Sequence, residues 1–279
     1  KEQPDLVHVN MPPNVRLEVF EAADEAGIPA LIVEKPLAIQ GEDYQAIRSF
    51  AARSRIKIAV NHQLHFHPRR VALQNLVRDG KIGEVRFIDA SARLNLAYQG
   101  THVLQSISAF NPSGNPLSVF GQVSGAAGLI DDPKQHVSPD QSLAGITYDN
   151  GVRAQLHCGP DAPLISEEKP SHSKRIAIYG SRGFAYWTMS SWETNCDSRV
   201  DSGVHEYYAE DVLAQAAMTE AMFDWLEDDN AMHPLNLTTS LRDFNLILGL
   251  YTSALQHKVI SLPVEPEPNL IESLRQRLS

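Results

Sequence analysis

The chain has 279 residues, of which 43% are hydrophobic and 21% are charged, a composition that allows one large or two medium globular domains. Its formal net charge is -10, so its long-range field repels nucleic acids and anionic membrane surfaces. Its apolar runs fall far short of the roughly 20 residues that a membrane helix needs. We therefore expect a soluble protein that acts on small molecules.

The cysteines and the first residues bear on the compartment and on the completeness of the chain. Cys158 and Cys196 have no C-x-x-C spacing, which indicates neither a disulfide framework nor a cysteine metal site. A reducing cytoplasm is the expected location. The first residues lack an initiator methionine and the basic-then-apolar layout of a signal peptide. We expect the sequence to begin inside a longer protein.

The first part of the chain alternates short β-rich runs with segments of helical spacing. Strands are predicted at residues 6–10, 30–33 and 56–61, and helices at residues 15–26 and 41–54. Connections of a few residues between such elements are typical of a doubly wound α/β sheet. Ligands of these sheets bind outside the carboxyl ends of the strands, where residues 10–14, 34–36 and 61–63 lie.

The pattern changes after a helix that is predicted to begin at residue 68. Further strands are predicted at residues 85–94, 117–123, 142–148, 152–158, 175–179 and 183–189. Asp149-Asn150-Gly151 predicts a hairpin turn, because Asn-Gly readily supplies positive backbone angles. Later helices are predicted at residues 211–226 and 240–256. The fold class predicted is α/β plus α+β: part of a Rossmann-type parallel sheet in residues 1–67, then a mostly antiparallel substrate domain in residues 68–279.

Several stretches, in order along the chain, resemble the Gfo/Idh/MocA family, the glucose-fructose oxidoreductase and inositol dehydrogenase type. They are Pro12-Pro13-Asn14, Glu34-Lys35-Pro36-Leu37-Ala38, residues 75–85, Gly100-Thr101-His102, residues 178–183 and residues 251–254. The resemblance covers nearly the whole chain. It implies a Rossmann domain that binds NAD or NADP, and hydride transfer to or from a sugar, polyol or related hydroxy compound.

One motif of the family does not occur in this sequence. Its G-x-G-x-x-G binds the pyrophosphate on the first strand-helix turn, and residues 180–183 are instead expected to be a turn between two strands. If two strand-helix units of about 30 residues each precede Lys1, the motif lies roughly 60 to 80 residues upstream. The acidic residue that reads the ribose is expected there too.

Oxidation of a hydroxyl group needs a hydride acceptor and a base. Lys35 follows a predicted strand, where it would orient the substrate hydroxyl and touch the nicotinamide ribose. His102 is the expected general acid and base, because imidazole titrates close to neutral pH. Family members place Asp where this chain has Tyr98, and often Asp where it has Gln105. Tyr98 is a candidate proton donor and equally a packing aromatic.

The cofactor-side candidates lie at the ends of the predicted strands. The resemblance implies cofactor contacts from Pro13, Asn14, Glu34, Lys35, Pro36, Asn61 and Gln63. The His that family members often carry just after the first of these positions is Leu17 here. For Asn61 and Gln63, simple capping of a loop is an equal alternative.

The run His62, His65 and His67 has the form H-x-x-H-x-H, which invites a metal interpretation. The segment offers no neighbouring acidic or cysteine ligand, so we expect no metal here and interpret it as a loop over the cleft. A second group of residues is aromatic: Trp187, Trp192, Tyr186, Tyr207 and Tyr208. A sheet face buried in a homo-oligomer is the expected use of these rings, with stacking on a sugar as the alternative.

Two other functions stay open at the level of sequence. Because Tyr98 and Gln105 replace the family's acids, the protein is alternatively a catalytically inactive protein that binds a small ligand or a partner. A third possibility is a redox-neutral lyase or hydrolase reaction with tightly bound NAD, which passes through a transient ketone.

Overall fold

A three-stranded parallel sheet begins the computed structural model, which describes residues 2–130, 135–163 and 173–278. Its strands are β1 (Val7–Val9), β2 (Ala30–Val33) and β3 (Lys57–Val60), and they lie in that order. All four residues of the central strand are buried, as expected for a strand covered on both faces. The predicted partial parallel sheet is confirmed.

Helices α1 (Arg16–Glu25) and α2 (Gly41–Ala51) connect these strands, and α3 (Pro68–Arg78) follows them. Short 3-10 turns, Pro13–Val15 and Gln63–Phe66, precede α1 and α3. The rings of Phe20 and Phe50 pack 5.6 Å apart between the two connecting helices. The sequence placed α1 and α2 correctly to within three residues at each end.

Segments from late in the chain complete the surroundings of the small sheet. Met218, Met222 and Leu235 pack with Ala30, Ile32 and Ala59 in a second apolar cluster. The amide of Val60 donates to the carbonyl oxygen of Leu235 at 3.0 Å, so this segment also binds the outer edge of β3.

The larger sheet has nine strands in the order β11-β10-β9-β8-β4-β7-β6-β5-β12. All neighbouring strands are antiparallel except β4 and β7. The predicted, mostly antiparallel sheet is confirmed. The strands are β4 (Val85–Ala92), β5 (Pro116–Ser124), β6 (Gln141–Tyr148), β7 (Arg153–Cys158), β8 (Lys174–Gly180), β9 (Gly183–Thr188), β10 (Ser191–Cys196), β11 (Arg199–Val204) and β12 (Ile260–Ser261).

Four helices accompany the larger sheet: α4 (Thr101–Phe110), α5 (Tyr207–Glu227), α6 (Leu237–Gln256) and α7 (Leu270–Leu278). Helix α6 lies against β5 at Gly121, where a Cβ atom would come within 2.4 Å of the Leu250 carbonyl oxygen. The Gly121 amide donates to Ser253 Oγ at 2.8 Å. Within the described residues, every helix is too short or too polar to span a bilayer.

The sequence missed parts of this sheet and of its helices. Strands β10 and β11 were not predicted, because they are polar and mostly exposed or half-buried, and no apolar alternation marks them. Helices α5 and α6 begin four and three residues earlier than predicted. The start of α6 is set by Asn236, whose side-chain oxygen accepts from the Thr239 amide at 3.1 Å.

Two of the hairpin turns differ in how clearly the sequence marks them. Gly151 alone of the predicted turn has a positive φ, +83°, and Tyr148 donates its amide to Val152 at 3.0 Å. The turn is thus confirmed, with one left-handed residue rather than two. Asp197 and Ser198, at φ values of 50° and 70°, form the tighter turn between β10 and β11 without glycine, so its sequence carries a weaker signal.

His233 joins α5 to the segment that borders β3. Its Nε2 lies 3.1 Å from the Met218 carbonyl oxygen, and its Nδ1 accepts from the Leu235 amide at 3.1 Å. A carbonyl only accepts, so Nε2 carries the proton and the ring is neutral. Burial lowers the pKa of His233 to about 4.

We predict that His233 makes the fold sensitive to acid. Between pH 4 and 6.5 the unfolded chain binds the proton that folded His233 refuses, so stability falls as pH falls through this window. From pH 7.5 to pH 5 the loss from this group is about 2 kcal/mol. His233→Asn should lower the free energy of unfolding by about 1 to 2 kcal/mol at pH 7.5 and remove this part of the pH dependence.

Urea unfolding at both pH values measures the effect, with His257→Asn at an exposed histidine as the matched control. The control should follow the unmodified protein at both pH values. An equal loss of stability on acidification in His233→Asn and in the unmodified protein would contradict the assignment.

Candidate active site at the carboxyl end of the small sheet

The turn after β2 forms one wall of a cleft of about 290 Å³. Its lining residues are Asn10, Met11, Pro12, Pro13, Glu34, Lys35 and His136. The first six follow strands β1 and β2, so the cleft opens where ligands of parallel sheets bind. His136 lies in the segment before β6 of the larger sheet and lines the same cleft.

Lys35 reaches from this turn toward the larger sheet. Its Nζ donates to the carbonyl oxygen of Tyr98 at 2.8 Å and lies 3.5 Å from Nε2 of His136. The same ammonium is 4.9 Å from the centre of the Tyr98 ring. The side chain is half-buried, and a carbonyl oxygen and an aromatic face hold its charge in place.

The other residues of the turn are fixed from behind. Glu34 accepts from Asn61 Nδ2 at 2.9 Å, which ties the end of β2 to the end of β3. Pro36 is buried, and its peptide bond with Lys35 is cis. Arg16 donates through Nη2 to the carbonyl oxygen of Glu34 at 2.6 Å and to that of Pro36 at 3.5 Å.

The sequence gives no sign of this role for Arg16, which stands next to Leu17 in a segment of helical spacing. It is 1% exposed, and burial lowers its pKa to about 10, although the charge of Glu34 opposes the shift. A buried guanidinium that binds the carbonyl groups on either side of Lys35 restricts the turn. We regard Arg16 as the residue that positions Lys35.

His102 lies at the start of α4 beside His62, which follows β3. Their Nδ1 atoms are 3.4 Å apart and their rings meet edge to face. Burial, the neighbouring His62 and the charge of Lys35 hold the pKa of His102 well below its usual range. Burial and the charge of Lys35 lower the pKa of His62 to about 3. Both rings are therefore neutral at physiological pH.

Tyr98 occupies the position where the family has an acid, and the structure brings it to the site. It lies in a π-helical turn, Leu96–Gly100, and its amide donates to the side-chain oxygen of Asn95, Oδ1, at 2.8 Å. Its ring packs 4.7 Å from the ring of His136. Tyr98 thus contacts Lys35 through both its backbone and its ring.

The remaining predicted residues lie at varying distances from Lys35. Gln63 donates to Asp211 Oδ1 at 3.0 Å and so joins the end of β3 to the start of α5. Asn14 is exposed and lines a neighbouring cleft of about 230 Å³ between α1 and α2, together with Leu17. Pro13 lines both clefts.

The three histidines of the H-x-x-H-x-H run diverge. His62 meets His102, His65 Nδ1 lies 2.9 Å from Gln105 Nε2, and His67 Nδ1 lies 2.9 Å from Glu210. Burial lowers the pKa of His65 to about 3, so its Nδ1 accepts from the Gln105 amide group. Gln105, the other departure from the family pattern, holds the loop after β3 rather than acting as an acid.

Lys174 is a second cation that sequence reasoning missed, because it begins a buried strand. It is 4% exposed, its Nζ lies 5.3 Å from the centre of the Tyr207 ring, and its charge lowers the pKa of His102. Burial lowers the pKa of Lys174 itself to about 8, with Asp211 opposing the shift. Only the pairing of β8 with β4 brings it near Lys35.

The aromatic residues that the sequence analysis grouped together lie in different surroundings. Trp187 is 1% exposed and packs on the buried guanidinium of Arg70 at 5.1 Å, so it belongs to the core. Tyr207 lies 5.0 Å from the ring of His67, and Tyr208 is 72% exposed. These rings do not form one continuous surface.

The arrangement of a partial parallel sheet beside a large open sheet occurs in solved oxidoreductases. The chain aligns with an oxidoreductase domain protein from Kribbella flavida at a TM-score of 0.76 and 17% identity, covering 95% of this chain and 82% of that one. An inositol dehydrogenase homolog from Azotobacter vinelandii, complexed with NADH and myo-inositol, aligns at 0.71 and 15%, covering 92% and 78%. These likenesses define the fold class.

Sequence comparison adds a relative. The chain is 27% identical over 194 residues to the inositol 2-dehydrogenase of Rhizobium meliloti, across 64% of this chain and 56% of that protein. No protein-family model matches. The chain thus spans little more than half the length of this relative. The match, together with the fold, confirms the resemblance to Gfo/Idh/MocA oxidoreductases that the motifs indicated.

We predict that Arg16→Met loosens the turn that carries Lys35. The substitution keeps much of the side-chain volume but removes both donors, which leaves two carbonyl groups without their charged partner. Amide hydrogen exchange of the peptide that covers residues 34–38 should become at least about tenfold faster.

Arg53→Met is the matched control, since Arg53 pairs with Glu21 on the exposed side of the same two-helix layer. It should leave exchange in residues 34–38 unchanged. Equal exchange rates in Arg16→Met and in the unmodified protein would show that Arg16 does not position the turn.

Proposed function

We propose that the protein is an NAD(P)-dependent oxidoreductase that transfers hydride between the nicotinamide and a CH-OH group of a sugar, polyol or related hydroxy compound. The observation that carries this proposal is the convergence of Lys35, Tyr98 and the neutral pair His62 and His102 at the carboxyl end of the small sheet. The inositol 2-dehydrogenase relative supports a polyol as substrate.

The residues at the cleft fit the nicotinamide end of the cofactor. The cleft beside Lys35 lies where a parallel sheet binds nucleotides, and it is lined in part by the buried ring of Pro13. We propose that Pro13, Asn14, Glu34, Lys35, Pro36, Asn61 and Gln63 hold the cofactor. When bound, NAD or NADP supplies the hydride acceptor or donor. Residues 1–67 then form the cofactor half, and residues 68–279 the substrate half.

Lys35 acts as a charged hydrogen-bond donor. Its ammonium donates one hydrogen bond to the Tyr98 carbonyl oxygen and lies against the Tyr98 ring. The orientation of the Lys35 side chain is therefore set before substrate binds. A substrate hydroxyl or carbonyl oxygen beside it gains a positive charge that stabilises negative charge as the proton leaves. Tyr98 therefore serves Lys35 through its backbone, and its ring replaces the family's acid with a cation-binding face.

The pair His62 and His102 moves the proton. The proton lies on one of the two Nδ1 atoms, 3.4 Å apart. With the proton on His102 Nδ1, His102 Nε2 is a free base: it accepts the substrate proton as the Nδ1 proton passes to His62 Nδ1, and His62 in turn releases its own Nε2 proton, so that both rings end neutral. Because each ring gains one proton as it gives up another, the relay avoids a lasting imidazolium at His102, whose pKa burial lowers strongly.

We further propose a cytoplasmic location, supported by the free thiols of Cys158 and Cys196, which suit a reducing compartment.

We predict that Lys35→Met and His102→Asn each lower kcat/KM of the full-length protein by about 100-fold or more, since each removes a group that acts on the reacting hydroxyl. NADH formation from NAD with myo-inositol and a panel of sugars and polyols measures the rate, and the same panel is run with NADP. Lys81→Met and His257→Asn, at exposed positions, are matched controls that should keep normal rates.

Three results separate this proposal from its rivals. Normal rates in both active-site variants would refute the roles given to Lys35 and His102. Absence of NAD(H) and NADP(H) binding to the full-length protein would favour the inactive binding protein. Conversion of a substrate without added cofactor and without net reduction would favour the redox-neutral reaction.

We propose, in addition, a homo-oligomer that forms through the open face of the nine-stranded sheet. Phe87, Tyr179 and Phe184 form an aromatic row across β4, β8 and β9, with ring separations of 6.1 and 6.4 Å. Strand register places Phe120 on the same face, through the pairs that join β5 to β4. Tyr179 and Phe120 are 43% and 42% exposed. A row of exposed aromatic rings favours burial against a second copy.

We predict that Tyr179→Asp dissociates this oligomer, because the carboxylate would be buried against apolar rings. Light scattering coupled to size-exclusion chromatography gives the mass of the species. Tyr208→Asp, at an exposed ring on α5, is the control and should keep the unmodified mass. A monomeric unmodified protein, or an oligomer unaffected by Tyr179→Asp, would contradict the interface.

A further inference from the structure

His67, His205 and Glu210 come together at the end of the loop that follows β3, although His67 is far from the other two in the sequence. One ligand atom from each lies within 4.8 Å of the other two. His67 precedes α3, His205 lies between β11 and α5, and Glu210 is in the first turn of α5. The side chains of His67 and His205 are 0% and 3% exposed, and that of Glu210 is 18% exposed.

The tautomer of His205 is fixed by its other nitrogen. Its Nε2 lies 2.9 Å from the carbonyl oxygen of Thr188, which can only accept, so Nε2 carries the proton. In the neutral ring Nδ1 then carries no proton and presents its lone pair. This lone pair lies 3.5 Å from Oε1 of Glu210, so two acceptors face each other.

Nδ1 of His205 has no hydrogen-bond partner within the described residues, because it and the carboxylate are not aligned for a bond. A buried imidazole lone pair and a partly buried carboxylate that lie this close repel each other, and a cation placed between them would turn that repulsion into attraction.

We propose that His67 Nδ1, His205 Nδ1 and the Glu210 carboxylate bind a divalent transition-metal ion, with Zn²⁺ as the best fit. Two imidazole nitrogens and one carboxylate form a known ligand set for zinc, with a fourth position for water. Ligand atoms around tetrahedral zinc are about 3.3 Å apart. His67 Nδ1 lies 2.9 Å from Oε2 of Glu210, and His205 Nδ1 lies 3.5 Å from Oε1 of the same carboxylate, so the two separations fall on either side of this value.

The surroundings also suit a metal site. The Nε2 proton of His205 is held by a backbone carbonyl oxygen, the arrangement that orients most histidine ligands of metals. Glu210 Oε2 also accepts from the Arg69 amide at 3.1 Å, which fixes the carboxylate. The ring of Tyr207, 5.0 Å from that of His67, packs over the imidazole.

A metal here would join three segments that the chain brings from different elements. His67 ends the loop that carries His62, and Glu210 precedes Asp211, the partner of Gln63. The ion would therefore hold the start of α5 against the loop after β3. Its role is to support the active-site loop, so it is independent of the reaction proposed for Lys35 and His102.

The test is zinc binding by the intact protein after metal removal with a chelator. Competition titration against a chromophoric chelator should show one Zn²⁺ per chain, and calcium, which prefers oxygen ligands, should not compete. X-ray absorption at the zinc edge should show two imidazole ligands and no sulfur. Failure of the proposed oxidoreductase activity would leave these readouts unchanged.

Glu210→Gln keeps the size of the side chain and its acceptor for Arg69 but removes the charged ligand, so zinc affinity should fall roughly 100-fold. Glu206→Gln, at an exposed glutamate one turn earlier, is the matched control and should bind zinc normally. Circular dichroism confirms that both variants are folded. No zinc binding by the unmodified protein, sulfur ligation, or equal affinity of the two variants would each overturn the proposal.

Discussion

The hydrogen-bonding needs of buried imidazole rings constrain much of this structure. His62, His65, His102 and His233 are held out of water, and desolvation keeps each of them neutral. A neutral imidazole has one donor and one acceptor nitrogen, so each ring needs one partner of each kind. Loops and helix ends are arranged around those needs, from the Leu235 amide at His233 to the Gln105 amide group at His65.

The proposed active site adds fixed cations to these neutral rings. Lys35 projects from a turn that Arg16 holds by its carbonyl groups, and Lys174 enters from the first position of β8. Cations close to neutral histidines make protonation of those rings still harder. Electrostatics of this kind favour transfer of a proton through the His62–His102 pair over storage of a charge on it.

The departures from the family pattern acquire physical meaning in this setting. Tyr98 gives Lys35 a carbonyl oxygen and a ring face where an acid would give a carboxylate, and the pair retains the position of the ammonium. Gln105 instead donates to His65 in the loop after β3. The proposed site thus keeps a lysine and a histidine while Tyr98 and Gln105 support their neighbours, an arrangement in keeping with the oxidoreductase proposed above.

Periodicity and turn residues are local signals, so they were enough to predict the parallel strands, their helices and the position of Lys35 after β2. They also indicated the mostly antiparallel second sheet, but not β10 and β11, whose polar residues carry no pattern. Only the tertiary structure decided that Arg16 supports the turn, that Lys174 approaches His102, and that His67 leaves its neighbours for His205 and Glu210. Those contacts join segments far apart in the chain, and burial selects them after the sheets have formed.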